Sequence, residues 1–404
     1  MAELRHITSA KDFGFLDFLE IFRTAEELRA IYNDPVKRLS LMYLLKKANG
    51  EAFRFRILYS GASTRTIGSF EDAIETMGGE VKTNPLEFSS AAKGETHRST
   101  LRIHGPRCDC IIIRDDKDDY AAKKMAEAAE EYGLATVVID GGSGSRQHST
   151  QALVDPYTIW RRDKLRFMNG ELTLALVGDL SHSRTIHSNL IGLSQFGGKV
   201  FLVGPEEENV PDWVFSEIDT NKISVEKIIN PRDIAALVDY WYITRIQDNL
   251  RKGKRLSKKQ IEHYIRVYGA SIRKYARTDS WFLHPLPANQ EYPEKIDLMD
   301  SRFIHYEQAD NGFFVRMALL KLIFVPTLDI RTILAEQQSV WVSGYFSRPI
   351  ELPAQLINAV CPEPSCPRVR VHTNWVDMDP EVKKHLIKAK TVCDRCHPQF
   401  YIAK

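Results

Sequence analysis

A unit that recurs along this chain limits what it can fold into. It consists of a short apolar run, a turn of small polar residues and an amphipathic helix. The first copy centres on Leu58-Tyr59-Ser60-Gly61-Ala62-Ser63-Thr64-Arg65-Thr66. Residues 53–59 are rich in aromatic and branched side chains, as a buried strand requires. Gly61 permits unusual backbone angles or a close approach. Ser63 and Thr64 are N-cap residue types, and the pattern from Ser69 to Ile74 predicts a helix over 67–77, stopped by Gly78-Gly79. A helix N-terminus offers unpaired N–H groups and the positive end of the dipole, so it attracts anions. Taken alone, the stretch is better read as an N-capped helix with a surface arginine.

The unit repeats. Residues 11–33 read as one or two amphipathic helices with Phe15, Phe18, Leu19 and Phe22 on the buried stripe. A short strand begins at Glu80-Val81, and 84–97 reads as a loop. A strand over 108–113 ends at Arg114. A helix over 120–132 leads to a strand over 136–139 and a glycine-rich loop, Asp140-Gly141-Gly142-Ser143-Gly144. His148-Ser149-Thr150-Gln151 opens the next helix. The alternation restarts with a strand over 172–177, the loop Gly178-Asp179-Leu180-Ser181, Arg184-Thr185 opening a helix over 186–196, and a strand over 200–203. Glu206-Glu207-Glu208 reads as a solvated loop, 232–239 as a helix, and 240–243 as a strand ending at Arg245-Ile246-Gln247. Residues 248–279 are polar and basic and read as a loop and helix beside an anionic-substrate site. Phe282 to Pro287 ends another strand, and 309–324 is a strongly apolar helix. Strands alternating with helices predict an α/β fold with mainly parallel sheets, whose ligands sit at the carboxyl ends of strands.

At 404 residues, two or three domains are expected. Lys plus Arg (55) nearly balances Asp plus Glu (53), which argues against bulk attraction to nucleic acid or membrane. No apolar run approaches the ~20 residues of a membrane span. The first six residues lack an apolar signal-peptide core, so a cytoplasmic protein is expected.

Four arginines fall at strand ends or helix starts: Arg65, Arg114, Arg184 and Arg245, in company with His148, Gln151, Thr185 and Gln247. Guanidinium forks suit phosphate and carboxylate, so the set predicts substrates carrying several negative charges. Here the sequence resembles the aspartate carbamoyltransferases. The resemblance is carried by Ser63-Thr64-Arg65-Thr66, His148-x-x-Gln151, Gly178-Asp179-Leu180 with Arg184-Thr185, Thr244-Arg245-x-Gln247, His284-Pro285-Leu286-Pro287 and the segment from Gln308 to Ala318. It runs in order over roughly 5–325. Ornithine carbamoyltransferases share the first motif but typically have His-Cys-Leu-Pro in place of His284 to Pro287 and lack the Arg-x-Gln.

The resemblance implies two doubly wound parallel-sheet domains. One is a carbamoyl phosphate-binding domain over 1–150, completed by a helix at about 305–325, and the other an aspartate-binding domain over 151–304. It also implies transfer of the carbamoyl group from carbamoyl phosphate to L-aspartate in pyrimidine biosynthesis, with no catalytic cofactor. Ser63, Thr64, Arg65 and Thr66 would hold the phosphate. Thr66, Arg114 and His148 would polarise the carbamoyl oxygen. Gln151 and the carbonyls near Pro285 and Leu286 would hold the carbamoyl amine. Arg184, Arg245 and Gln247 would clamp the aspartate carboxylates, beside Thr185. Family members borrow a Ser and a Lys from the adjacent subunit, which align with Ser89 and Lys93, so a homotrimer with shared active sites is implied. Arg65 could also serve only to brace its turn, and Arg316 reads as a structural ion pair.

The chain departs from the family pattern in places. Gly61-Ala62 stands where Glu-Pro is usual, Ile67 and Ala288 where Arg is usual, and Ser149 where Pro is usual. The usual glutamate helps to latch domain closure through arginines. These departures keep two alternatives in view: a catalytically weak paralogue serving assembly or regulation, and a carbamoyltransferase for another amino acid. Beyond the resemblance, Cys361-x4-Cys366 and Cys393-x2-Cys396 pair as a tetrahedral zinc site would. The expectation is a zinc-bound β module over 331–404, similar to the zinc domain of the aspartate carbamoyltransferase regulatory chain. It would contact a neighbouring catalytic subunit in a higher assembly.

Overall fold

The computed structural model describes residues 6–61, 64–88, 94–247 and 256–325. The cysteines of the expected zinc module, Cys361, Cys366, Cys393 and Cys396, lie outside the described residues, as do Ser63, Ser89 and Lys93.

Two parallel sheets form the frame. The first comprises β1 (Arg54–Tyr59), β2 (Glu80–Pro85), β3 (Cys110–Asp115) and β4 (Val137–Ser143), in the spatial order β2-β1-β3-β4. The second comprises β5 (Thr173–Val177), β6 (Gly198–Val203), β7 (Ile223–Ile228), β8 (Tyr240–Ile243) and β9 (Trp281–Leu283), in the order β7-β6-β5-β8-β9. Every named strand pair is parallel. β3 and β4 are buried at every residue, as strands covered by helices on both faces must be, whereas Glu80 and Lys82 on edge strand β2 meet solvent or its margin.

The helices are α1 (Phe15–Asn33), α2 (Thr64–Thr76), α3 (His97–His104), α4 (Ala121–Glu131), α5 (Gln151–Arg162), α6 (Lys164–Met168), α7 (Arg184–Leu193), α8 (Asp212–Phe215), α9 (Lys258–Tyr268), α10 (Ile296–Met299) and α11 (His305–Phe324). Phe18, Leu19 and Phe22 of α1 are buried as their spacing predicts, and Phe22 packs against Tyr157, Trp160 and Phe196. Each fully buried ring of this kind contributes about 2–3 kcal/mol. α11 packs against α1, α2 and α5, and its Phe324 meets Phe55 of β1. One apolar cluster runs from Phe55 and Ile57 of the first sheet to Leu174 and Leu176 of the second, so packing fixes the two sheets to one another.

The chain order reverses between β1 and β3 in the first sheet and between β5 and β8 in the second. A reversal leaves a crevice at the carboxyl ends of the two strands, because their connections leave in opposite directions. Both crevices open onto the same cleft.

Several local expectations are corrected. The helix expected over 232–239 is a single 3-10 turn, Pro231–Ile234, and strand β7 was not anticipated at all. β4 continues through Asp140, Gly141 and Gly142, where a glycine loop was expected. The buried Asp140 explains this. Its carboxylate accepts from Gly142 N (3.1 Å), Ser143 Oγ (2.6 Å), Ser149 N (3.0 Å) and Ser149 Oγ (2.8 Å), tying the strand to the next turn. Glu208, expected in a solvated run, is buried, while Glu206 and Glu207 are exposed.

Candidate active site

The cleft between the sheets has a volume of ≈ 550 Å³. From the first sheet it receives Arg65 and Thr66 in the first turn of α2, Arg114 at the end of β3, and His148 and Gln151 at the start of α5. From the second it receives Arg184 and Thr185 in the first turn of α7, with Arg245 and Gln247 beyond β8. Pro285 and Leu286, just past β9, and Gln308 and Arg316 of α11 complete the lining. Residues 180 positions apart in sequence thus share one wall-to-wall space. Thr64 opens α2, but its side chain lies outside the described residues, as do Ser63, Ser89 and Lys93.

On the first-sheet wall Thr66, Arg114 and His148 are buried and tightly held, while Gln151 is half-buried and Arg65 is exposed. Thr66 and His148 are buried, with Thr66 Oγ1 3.2 Å from His148 Nε2. His148 N donates to Ser188 Oγ of α7 at 2.7 Å, which fixes the turn from the opposite domain. Burial holds the His148 imidazole far below its ordinary pKa, and Arg114, Arg184 and Arg316 add to the effect, so the ring is neutral at pH 7. Arg114 is buried beside Gly141 O (3.5 Å), and burial together with Arg184 brings its pKa down to about 10. Gln151 Nε2 donates to Asp155 Oδ1 at 2.6 Å. Gln308 Nε2 donates to the same oxygen, also at 2.6 Å.

The second-sheet wall is more open. Arg184, Thr185, Arg245 and Gln247 are half-buried. Gly178, with φ +127, lets the ends of β5 and β8 meet: a Cβ there would lie 2.5 Å from Thr244 Oγ1. Thr244 Oγ1 donates to Val177 O (3.0 Å), and Gln247 N donates to the buried Asp179 carboxylate (2.9 Å), so the Arg245 turn is anchored through its backbone. Arg65 and Arg245 face each other across the cleft, and burial together with Arg245 lowers the Arg65 pKa. The loop at 285–287 is built on the buried His284, whose Nδ1 accepts from Leu286 N (2.8 Å) while Nε2 lies 3.1 Å from Glu291 Oε1.

Several lining residues carried no signal in the sequence. Asp72 and Asp116 line the cleft as carboxylates among guanidiniums. Arg316 is not in the expected ion pair among the described residues. It is buried in the cleft wall, donates from Nη2 to Thr150 Oγ1 (3.2 Å) and stands over the Phe70 ring (5.2 Å). Ile67 packs into the apolar core beneath α2 and takes no place in the lining. Five guanidiniums against two carboxylates leave a positive cleft with a helix N-terminus on each wall, which suits a ligand with several negative charges.

Comparison with known proteins agrees with this geometry. Residues 5–161 match the carbamoyl-P binding domain of aspartate/ornithine carbamoyltransferases, and residues 170–323 match their Asp/Orn binding domain. The aspartate carbamoyltransferase catalytic subunit of Methanopyrus kandleri is 34% identical over 328 residues, covering 79% of this chain and 97% of that protein. The chloroplastic aspartate carbamoyltransferase of Arabidopsis thaliana is 34% identical over 326 residues, covering 80% of this chain and 78% of that one. Among solved structures, the Trypanosoma cruzi aspartate transcarbamoylase with carbamoyl aspartate and phosphate superposes with a TM-score of 0.68 at 28% identity, covering 79% of this chain and 96% of that one. Two contiguous domain matches, the Methanopyrus kandleri relative spanned nearly end to end, and a cleft at two facing strand-order reversals agree: this chain belongs to the aspartate/ornithine carbamoyltransferase family.

Proposed function

We infer that this chain is an aspartate carbamoyltransferase, transferring the carbamoyl group of carbamoyl phosphate to L-aspartate in pyrimidine biosynthesis. The observation that carries the inference is the arginine-lined cleft between the two switch points, in a chain matched along both domains to this enzyme. A C–N bond forms from the neutral aspartate amine to the carbamoyl carbon, the C–O bond to phosphate breaks, and the one proton the amine loses passes to the departing phosphate. Charge develops on the carbamoyl oxygen and on the leaving phosphate, so donors aimed at both would lower the barrier.

The residue roles are part of the proposal. Arg65 and Thr66, in the first turn of α2 with its free N–H groups, bind the phosphate. Thr66, Arg114 and His148 face the carbamoyl oxygen. Held neutral, His148 serves as a hydrogen-bond donor and is a poor general base. Because the Gln151 amide nitrogen is engaged with Asp155, its carbonyl oxygen is the atom that accepts from the carbamoyl amine. Arg184, Arg245 and Gln247 take the two carboxylates of aspartate. Positioning two anions against their mutual repulsion supplies most of the acceleration. The location of Ile67 in the core supports the enzymatic reading over a catalytically weak paralogue, since that substitution leaves the cleft lining intact.

Purified protein supplied with carbamoyl phosphate and a panel of amino acids should release phosphate and carbamoyl aspartate with aspartate alone. Turnover with a different amine, or with none, refutes the assignment. The proposal extends to a cytoplasmic homotrimer with sites shared through Ser89 and Lys93. Mixing the separately inactive Lys93→Ala and Arg114→Ala variants should then restore turnover in hybrid trimers, and no recovery refutes sharing. It extends also to one structural zinc per chain on Cys361, Cys366, Cys393 and Cys396, which metal analysis of the full chain decides.

A further inference from the structure

The loop after β3 places one carboxylate between arginines of both domains. Asp116 Oδ1 lies 3.3 Å from Arg114 Nη2 and accepts from Arg184 Nη1 at 2.9 Å. Arg114 ends β3 of the first sheet, and Arg184 opens α7 of the second. The same Arg184 nitrogen donates to Gly144 O, beyond β4, at 2.8 Å, so the guanidinium is held entirely by groups of the opposite domain. Burial and, after it, the neighbouring Arg184 guanidinium lower the Arg114 pKa, and the Asp116 carboxylate between the two offsets part of that penalty.

The backbone under Asp116 is set for this contact. Asp116 N donates to Ser60 Oγ (2.8 Å), Ser60 Oγ donates to Asp115 Oδ1 (2.7 Å), and Ser60 N donates to Arg114 O (2.8 Å). The turn that opens the phosphate site and the turn that carries Asp116 are therefore one hydrogen-bonded unit. Gly61 completes it. Its φ is +73, and a Cβ built there would stand 2.4 Å from Asp116 Oδ2. Any side chain at position 61 would displace the carboxylate, so the absence of one is what gives Asp116 its place.

We propose that Asp116 is a positioning residue that bridges the two domains, aiming the Arg184 guanidinium into the cleft for a substrate carboxylate, with Gly61 as the space that admits it. This rests on the reading of Arg184 as an aspartate ligand. Asp116 touches no reacting atom. It acts by holding Arg184 against Gly144 O while keeping Arg114 and Arg184 from driving each other apart. The link is direct chemistry between opposite charges, half-exposed on the Asp116 side and mostly buried on the Arg184 side.

Steady-state kinetics of Asp116→Asn and Asp116→Glu in the full-length protein test this. Asparagine keeps the shape and loses the charge. It should raise the aspartate KM about five- to tenfold while the carbamoyl phosphate KM stays within about threefold, with an unchanged melting temperature. Asp116→Glu should recover part of the aspartate affinity. A wild-type aspartate KM in Asp116→Asn, or equal damage from both variants, overturns the proposal. Gly61→Ala gives a second route that leaves every charged group in place. It should raise the aspartate KM more in the wild-type background than in Asp116→Asn, where the contact is already lost and only the strain of an alanine at φ +73 remains. Additive effects overturn the coupling. Absence of aspartate turnover in the wild type would instead sink the enzymatic reading and is seen before any variant is made.

Discussion

The two walls of the cleft are built to different standards. On the first-sheet wall Thr66, Arg114 and His148 are no more than 9% exposed and are held by hydrogen bonds to one another, to Gly141 O and to Ser188 of the other domain, with Arg65 alone exposed at the rim. On the second-sheet wall Arg184, Arg245 and Gln247 are half-buried, and Gln247 is anchored by its backbone N–H while its side chain faces the cleft. The difference follows from what each wall must do. Charge that develops during a reaction is best met by dipoles already fixed, because reorganising them in the transition state costs free energy. A second substrate that enters a cleft already holding an anion needs a wall that can admit it and then close on it. The first wall is therefore expected to govern kcat and the second the KM for aspartate.

The largest expected effect tests the fixed wall. Arg114→Ala removes a buried donor from the position where oxyanion charge would form, and kcat should fall on the order of 10²–10³-fold. The aspartate KM should move far less. A variant that loses aspartate affinity and keeps kcat would erase the distinction between the walls. The next effect tests the open wall. If Arg245 takes a substrate carboxylate as proposed, Arg245→Ala should raise the aspartate KM roughly 10- to 100-fold, in line with about 1.5–3 kcal/mol for such a bond. Carbamoyl phosphate binding, followed by competition with phosphate, should be nearly unchanged. Because Arg245 adds positive charge to the same cleft, a small weakening of phosphate is expected in Arg245→Ala, whereas a large weakening would break the comparison.

Much of this site was legible before any coordinates existed, and the reasons differ by residue. Strand-ending arginines announce themselves because a guanidinium at the end of an apolar run has few structural uses. The alternation of strands and helices puts all such ends on one side of a sheet. Sheet order was not legible, and with it the fact that Arg65 and Arg114 flank one reversal while Arg184 and Arg245 flank the other. Order is decided by which helices cover which face, a long-range choice with no local sequence mark. The two acidic runs show the same limit. Asp115 and Asp116 in Asp115-Asp116-Lys117-Asp118-Asp119 and Glu208 in Glu206-Glu207-Glu208 look in sequence like the rest of their runs, yet Asp115 and Glu208 are buried and Asp116 bridges two arginines. A charge run reports average exposure and says nothing about which member turns inward. Arg316 was misjudged for the converse reason. Its helix is apolar enough to suggest a buried ion pair, but in three dimensions a threonine and an aromatic ring take that place.

The smallest effect on turnover comes with the clearest pH signature, and it asks what keeps the first wall fixed. Asp155 is fully buried, and its pKa is raised from 3.8 to about 7, chiefly by desolvation, against the pull of hydrogen bonds from the Gln308 and Gln151 amides. The folded state thus keeps a proton that the unfolded chain gives up at lower pH. Unfolding releases it, so this group's contribution to stability is full below pH 3.8 and is lost as the pH rises to about 7. Asp155→Asn removes the titration. Its Oδ1 can still accept from the amide nitrogens of Gln151 and Gln308, so the Gln151 carbonyl should stay aimed as before and kcat should change less than about threefold. Melting temperature measured across pH 5 to 8 should decline less in Asp155→Asn than in the wild type, with the variant the more stable at pH 8. Parallel curves would mean that the wall is fixed by packing alone. A large loss of kcat with a flattened curve would mean that the negative charge, rather than the hydrogen bonds, orients Gln151.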